Sequence, residues 1–595
     1  MKFRHKIAAF SLIACVVLLA TQCSKKLVEH PYTVFTPEYF KSPAGLQNAV
    51  NALYSGMRWD FGPEGAVGIT ADGTDEFTFA DQPRTGAGGT GDYLTLGNYT
   101  LDPSNGAILT PWNRNYNNIN LANAVADFAP GVTLDTVTKV GIIAQARFLR
   151  GLYYLLLVEQ FGAVPLDLGT GDLHFNQKAF QGFNRLPTSN ILVKDYQAMI
   201  DDFTYASQNL PDARPANAFK LSKAAAFGML ARVFMFRGYS AAKQADDFKN
   251  AGIAATTVIN NLSKYGTGLL QNYADVAKRG NDYNQEILYS VERIPGDLND
   301  NETTSGQLGG GKEIDATNDF TPDYTSVRAP TAAASNPQPV STRTTLYGRP
   351  LRRFCPTPWL FNTAFADKYS DSRYNGSFRT VWLTSTAGNG FAVGDTAFVL
   401  ANTNGIADSM NAIPKKYRVV APREYYIIGG TTAQNIYPAM NKYEDSVKAQ
   451  PNDPGGRPFP VIKLSELYLL AAEAAFQASD PTTAANLINV LRTRAAYRPG
   501  ITNLAARVAA MQILPGQVTL DFIMDERTRE LCGESLRWPD LAIRGMLVAR
   551  VTADNPDGAA KIKPTHVLRP IPQSQLDNVT FTAGQTPAQY QNPGY

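Results

Sequence analysis

The chain has 595 residues, 44% of them hydrophobic and 18% charged, which is the balance of a globular protein and excludes a disordered one. Setting aside Lys2, Arg4 and Lys6 of the N-terminal stretch leaves 52 basic residues against 52 acidic ones. A neutral body of this kind excludes the basic surface needed for sequence-independent binding of nucleic acid, and it excludes electrostatic docking to anionic membranes.

Met1 to Lys6 is a short basic head, and Ile7 to Ala20 is an uncharged apolar run. Such a run falls short of the roughly 18 residues of a membrane span and reads as a secretion signal. Cys23 follows it and precedes polar Ser24-Lys25-Lys26, which predicts a lipoprotein signal over residues 1–22 and an acylated Cys23. Cys15 is a second candidate, but cleavage there leaves too short an apolar run before the cut. Beyond the signal, only Cys355 and Cys532 remain. One disulfide is compatible with an extracytoplasmic location; two buried thiols are the simpler reading of Cys532 among apolar neighbours.

Helical periodicity dominates the first half and the C-terminal third. Residues 43–58 place Leu46, Val50, Leu53 and Met57 on one stripe, with Ser42 as N-cap. Residues 112–128 give a second amphipathic helix. Residues 140–161 are apolar on more than one face and predict a buried central helix ending at Gly162; Arg147, Arg150 and Glu159 argue against a membrane span. Helices are expected at 189–210, 222–239 and 244–262, the last two as a hairpin. A further hairpin is expected from 461–478, turning at Asp480-Pro481 into 482–496. Small residues alternate with large ones as in degenerate tetratricopeptide units. From about 296 to 348 the composition is that of loops, and short β-like runs occur at 391–393 and 425–428.

No motif points to catalysis. Residues 86–91 match GxGxxG but lack the flanking strand and helix, so a loop is the reading. Residues 306–312 approach a phosphate-binding loop, with Glu313 where a hydroxyl belongs. The carboxylates of Asp525 to Glu530 are matched by Arg527 and Arg529 at i,i+3 and i,i+4 spacing. No Cys/His cluster has zinc spacing, and the Asp/Asn-rich run 297–301 lacks the calcium-loop pattern, so no metal or cofactor is expected. Candidate ligand residues lie in or beside the loops: Asp72, Asp75, Glu76, Arg84, Tyr93 and Tyr99 around the first glycine-rich segment, and Tyr324, Arg328, Tyr347, Trp359 and Trp382 around the irregular middle. Aromatic faces stack on sugar rings, while Asp and Arg hydrogen-bond hydroxyls.

Several segments in order resemble the SusD/RagB family of outer-membrane nutrient-binding lipoproteins. They are Thr36 to Phe40 with Ala49 to Tyr54; Ala146 to Tyr154 through Phe161 to Leu166; Ala471 to Ala474 with Ile488, Asn489, Arg492 and Arg494; Glu526 to Leu531 with Glu534, Arg537, Trp538, Asp540 and Leu541; and Pro570 to Ser574 with Gln591 to Tyr595. The resemblance implies a mostly all-α fold, a SusD-like α/α superhelix with tetratricopeptide-like hairpins, long irregular loops and a few short strands. It implies one body over 23–595, with an N-terminal helical part (23–265), a loop-rich insert (266–460) and a C-terminal signature region (461–595). The implied role is capture of a glycan, with a peptide as the other candidate ligand, and delivery to a SusC-like TonB-dependent outer-membrane transporter, without catalysis or cofactor. The implied location is the outer membrane, facing outward, lipid-anchored through Cys23. The residue-level alternatives are a surface glycoside hydrolase or peptidase on a helical scaffold, and an assembly factor that binds only proteins.

Overall fold

The structure is a computed structural model and describes residues 37–80, 93–169, 188–216, 220–293, 314–427, 434–581 and 583–595. The signal, Cys15, Cys23, Arg84, both glycine-rich motifs and the 297–301 run lie outside the described residues.

The N-terminal half is built from α1 (Pro43–Gly56), α2 (Glu64–Ala71), α3 (Gly106–Phe128), α4 (Thr136–Phe161), α5 (Thr188–Asn209), α6 (Lys223–Tyr239) and α7 (Asp247–Ile259). The C-terminal part adds α8 (Leu464–Gln477), α9 (Pro481–Ala495), α10 (Leu520–Leu531) and α11 (Arg537–Ile543). Caps fix several starts: Ser42, Asp135, Ser222 and Asp480 each accept a backbone N–H of the first turn. Gly162 ends α4 at φ 70°, in the region that favours glycine.

From α3 to α9 each helix packs on the next in this series, so the contacts run α3–α4–α5–α6–α7–α8–α9. The step from α7 to α8 spans some two hundred residues of sequence, yet it continues the same superhelix. Strands β2 (Ile287–Val291) and β9 (Phe459–Lys463) pair antiparallel and bring the two ends of the intervening segment together. Within that segment lie β3 (Phe354–Pro356), which pairs with β1 (Phe77–Phe79), and β4 (Phe378–Arg379), which pairs with β8 (Ala439–Met440). A small sheet there has the order β5 (Val381–Leu383), β6 (Thr396–Leu400), β7 (Arg418–Val420).

Helix α4 is long and apolar enough to cross a membrane, but about two-thirds of its apolar window is buried inside the protein. Arg147 and Arg150 converge on Asp202 of α5 at 2.7 Å, and Arg150 also donates to Asn123 Oδ1 at 2.8 Å. It is a core helix whose two arginines are paired with Asp202.

Four expectations are corrected. Val461 to Lys463 belong to β9, because their alternating pairing with β2 competes successfully with extension of α8. The 391–393 run forms a bridge with Gly388 at a turn, and residues 425–427 leave a 3₁₀ turn; neither is a strand. The second amphipathic helix begins at Gly106, capped by Asn105, six residues before its expected start. The carboxylates of α10 are neutralised across the fold. Glu526, fully buried, meets Arg373 and Arg492 as well as Arg529; Glu530 meets Arg373 and Arg494; Arg527 meets Asp540 and Glu466; Asp525 meets Arg550. Cys355 and Cys532 are both buried, and they are not bonded to each other.

Candidate functional site

After α1 the chain makes a 3₁₀ turn, Met57–Trp59, and then Asp60-Phe61-Gly62-Pro63 leads into α2. Gly62 has φ +111°, and a Cβ there would stand 2.9 Å from Arg293 Nη2 and Ile314 Cγ1, so the turn needs glycine. This turn faces the first turns of α3, and between them lies a pocket of about 300 Å³. Gly65, Ala66, Gly106 and Ala107 leave its floor open because they carry little or no side chain. Trp59 and Tyr93 supply ring faces, and Asp60, Thr110 and Arg114 supply polar groups. A Cβ on Gly65 would sit 2.8 Å from Tyr93 Oη, so the glycine also makes room for that tyrosine.

The Arg114 guanidinium lies 3.4 Å from the Trp59 ring centroid, a close cation–π contact that fixes the indole. Asn115, with its amide nitrogen turned toward Asp60, donates to both carboxylate oxygens at 3.0 and 3.2 Å. Burial raises the Asp60 carboxyl to about 7, against the lowering effects of Asn115 and Arg114. Beneath it, an internal void of about 20 Å³ bounded by Asp60, Asn115, Glu159 and Gln160 has room for one water. Burial likewise raises the Glu159 carboxyl to about 8.

Of the sequence candidates, Tyr93 lines this pocket. Tyr324, Tyr347 and Trp382 come together elsewhere as a buried aromatic cluster, with ring centroids 4.6 to 5.3 Å apart. Their hydroxyls are used internally: Tyr324 donates to Gly348 O and Tyr347 to Leu383 O. This corrects the expectation of ring faces offered to a ligand. A loop-rich segment with few aliphatic residues builds its core from aromatics. Asp75 holds the buried Arg537 (2.6 Å to Nε), and Trp359 is buried against the Arg537 and Arg550 guanidiniums. Asp72 is buried and its carboxyl pushed well up by desolvation, while burial takes Glu76 to about 7. Tyr99 donates to Gly73 O at 2.6 Å and stacks on His566. Asp72, Asp75, Glu76, Tyr99 and Trp359 are therefore all buried positions. Arg328 is half-buried and donates to Asn336 O at 2.6 Å. Sequence reasoning missed Trp59, Asp60, Thr110 and Arg114. The available signal was an aromatic beside an acid in a Gly-Pro turn.

A stack of antiparallel helical hairpins, with a pocket of mixed aromatic and polar lining built from the turns at one edge, is an α/α-superhelical architecture. A family model described as "SusD family" matches residues 334–595, and one described as "Starch-binding associating with outer membrane" matches residues 74–235. The chain belongs to the SusD/RagB family. It is 24% identical over 595 residues to "SusD-like protein P25" of Formosa agariphila, covering 96% of this chain and 97% of that one. Its fold matches a solved structure titled "Laminarin binding SusD-like protein" with TM-score 0.65 at 20% identity, covering 93% of this chain and all of the other. A SusD homolog from Bacteroides thetaiotaomicron matches with TM-score 0.67 at 20% identity, covering 95% and 99%.

Proposed function

We propose that this chain is a cell-surface lipoprotein, anchored through Cys23, that captures an oligo- or polysaccharide and delivers it to a SusC-like TonB-dependent outer-membrane transporter. The observation that carries the reading is the pocket at Trp59, Asp60, Tyr93, Thr110 and Arg114 in a chain of the SusD/RagB family. Two ring faces and a few convergent polar groups around about 300 Å³ suit one or two sugar units. Relatives named for laminarin and starch support a glycan over a peptide. The pocket supports binding over hydrolysis. Glycoside cleavage needs two carboxyl groups flanking the scissile bond, and Asp60 is the one carboxylate among the described residues that line it.

The test is incubation of the purified protein with a panel of soluble polysaccharides, measuring retention and new reducing ends together. Retention without new ends is the expected result. Turnover that disappears in Asp60→Asn would establish the hydrolase alternative. Affinity for an outer-membrane barrel with no affinity for any glycan or peptide would favour the assembly factor.

A further inference from the structure

The Trp59 pocket ends blind against the core. Asp60, Ala66, Ile69 and Pro111 line both this pocket and the void of about 20 Å³ beneath it. The inner wall of that void is Leu156, Leu157 and Phe161 of α4. Leu157 and Phe161 are each 1% exposed. A chain entering between α2 and α3 therefore meets the buried core helix and has no path onward. The void itself admits a water and nothing as large as a sugar.

The walls near this blind end are polar. Pro111 stands inside α3 and has no N–H. The Ala107 carbonyl, four residues earlier in the same helix, is thereby left without the donor that a regular helix supplies. Both residues line the pocket, so a backbone acceptor joins Asp60, the Thr110 hydroxyl and the Arg114 guanidinium there. Asp60 and Arg114 are the acid and the base among the described residues that line it, so once Asp60 is ionised they leave no surplus charge. At about 300 Å³ the pocket holds one or two sugar units, not a run of them.

We infer that the pocket recognises the end of a neutral glucan chain, a terminal unit or short branch, and not its interior. The inference rests on the reading of the chain as a glycan-binding protein. The terminal ring lies against Trp59, whose indole Arg114 fixes at 3.4 Å. Its hydroxyls, which an internal unit would have tied up in linkages, reach Asp60 and the Ala107 carbonyl. Short or branched glucans, which carry many ends, are then favoured over long linear ones.

The test is calorimetric titration of the full chain at pH 8 with two series of glucans. One is maltohexaose, its borohydride-reduced alditol and α-cyclodextrin, which closes the same glucose units into a ring without ends. The other is laminaritriose, laminarihexaose, the reduced alditol of the latter and a linear laminarin-type glucan of high mass. Wild type and Trp59→Ala are compared, with melting temperatures as the check on folding. The expected result is binding of at least one linear hexasaccharide, weakened at least about tenfold in Trp59→Ala. The ring should bind at least about tenfold more weakly than maltohexaose, and the high-mass glucan at least about tenfold more weakly per glucose unit than laminarihexaose. The trisaccharide should match its hexasaccharide to within a few-fold. An alditol that binds as its parent does assigns the non-reducing end, and one that loses affinity assigns the reducing end. These comparisons are made on wild type and hold even where the variant unfolds. A ring bound as tightly as the open chain, equal affinity per glucose unit in polymer and oligomer, binding that ignores a folded Trp59→Ala, or no binding in either series overturns the inference. In those cases retention of any polysaccharide of the wider panel would leave the proposed function standing, and absence of all glycan binding would remove both.

Discussion

Asp60 is the residue whose chemistry bears most directly on the pocket. Its folded carboxyl titrates near 7, raised by burial from about 3.9 in an unfolded chain. An acid raised in this way stabilises the fold only while both states are protonated. Between about pH 4 and 7 the unfolded chain has released a proton that the native one retains, so this contribution is lost as pH rises and is absent above 7. Asp60→Asn removes the effect. Denaturant unfolding at pH 5 and pH 8 should therefore show the variant gaining stability relative to wild type at the higher pH; a difference independent of pH would contradict the assignment. Ligand affinity should change across pH 6 to 8 in wild type and stay level in the variant. Tyr93, which flanks a glycine-rich loop, was legible in the sequence as a candidate, and it lines the pocket. Trp59 and Arg114 were not legible. Trp59 ends a 3₁₀ turn and Arg114 lies inside α3, some fifty positions further on, and nothing local in the sequence says that the guanidinium covers the indole.

At the scale of elements, α10 carries the densest buried charge. Glu526 and Glu530 are fully buried among Arg373, Arg492, Arg494 and Arg529. The arginines outweigh desolvation and hold Glu526 far below the usual carboxylate range and Glu530 at about 2. Carboxyls lowered in this way contribute stability that is present above about pH 4.5 and lost as pH falls toward 2. Acid unfolding should accordingly begin below about pH 4. Arg373→Ala strands Asp371, Glu526 and Glu530 without their shared cation, and should cost about 3–5 kcal/mol in denaturant unfolding at pH 7. A cost under about 1 kcal/mol would show the network to be dispensable. The paired acids and bases were visible in the sequence, and so was their structural role. Their partners were not, because the local i,i+3 and i,i+4 arithmetic that works for exposed helices gives way to tertiary pairing when the helix is buried. Helix starts were legible at Ser42, Ser222 and Asp480, where a capping side chain stands at the boundary, but not at Asn105, which caps α3 six residues before its expected start. The end of β9 was missed because Val461 to Lys463 fit a helical stripe as well as a strand.

At the scale of the molecule, one hydrophobic core runs from Phe40 to Tyr590 and includes Tyr289, Trp359, Phe398 and Leu467 from the middle and C-terminal segments. Ion pairs join distant segments as well: Asp75 with Arg537, and Glu286 with Arg494. Apart from a small cluster of Ala401, Ala407, Val419 and Ala421, the described residues of 266–460 share this core, so calorimetry should show a single melting transition for the folded body; two resolved transitions would contradict this continuity. The order of helices and the loop-rich middle could be read from composition and periodicity. The junction of α7 with α8 could not, since it depends on β2 and β9 meeting across 167 intervening residues. That junction makes the helical body a rigid frame for the turns around Trp59. The measurement that bears most directly on the central claim is a binding titration of a soluble glucan with wild type and Trp59→Ala, assayed in parallel for new reducing ends. The account predicts saturable binding by wild type, a loss of at least about tenfold in the variant, equivalent to about 1.4 kcal/mol, and no cleavage by either. Equal affinity in the two proteins, or release of reducing ends by wild type, would contradict it.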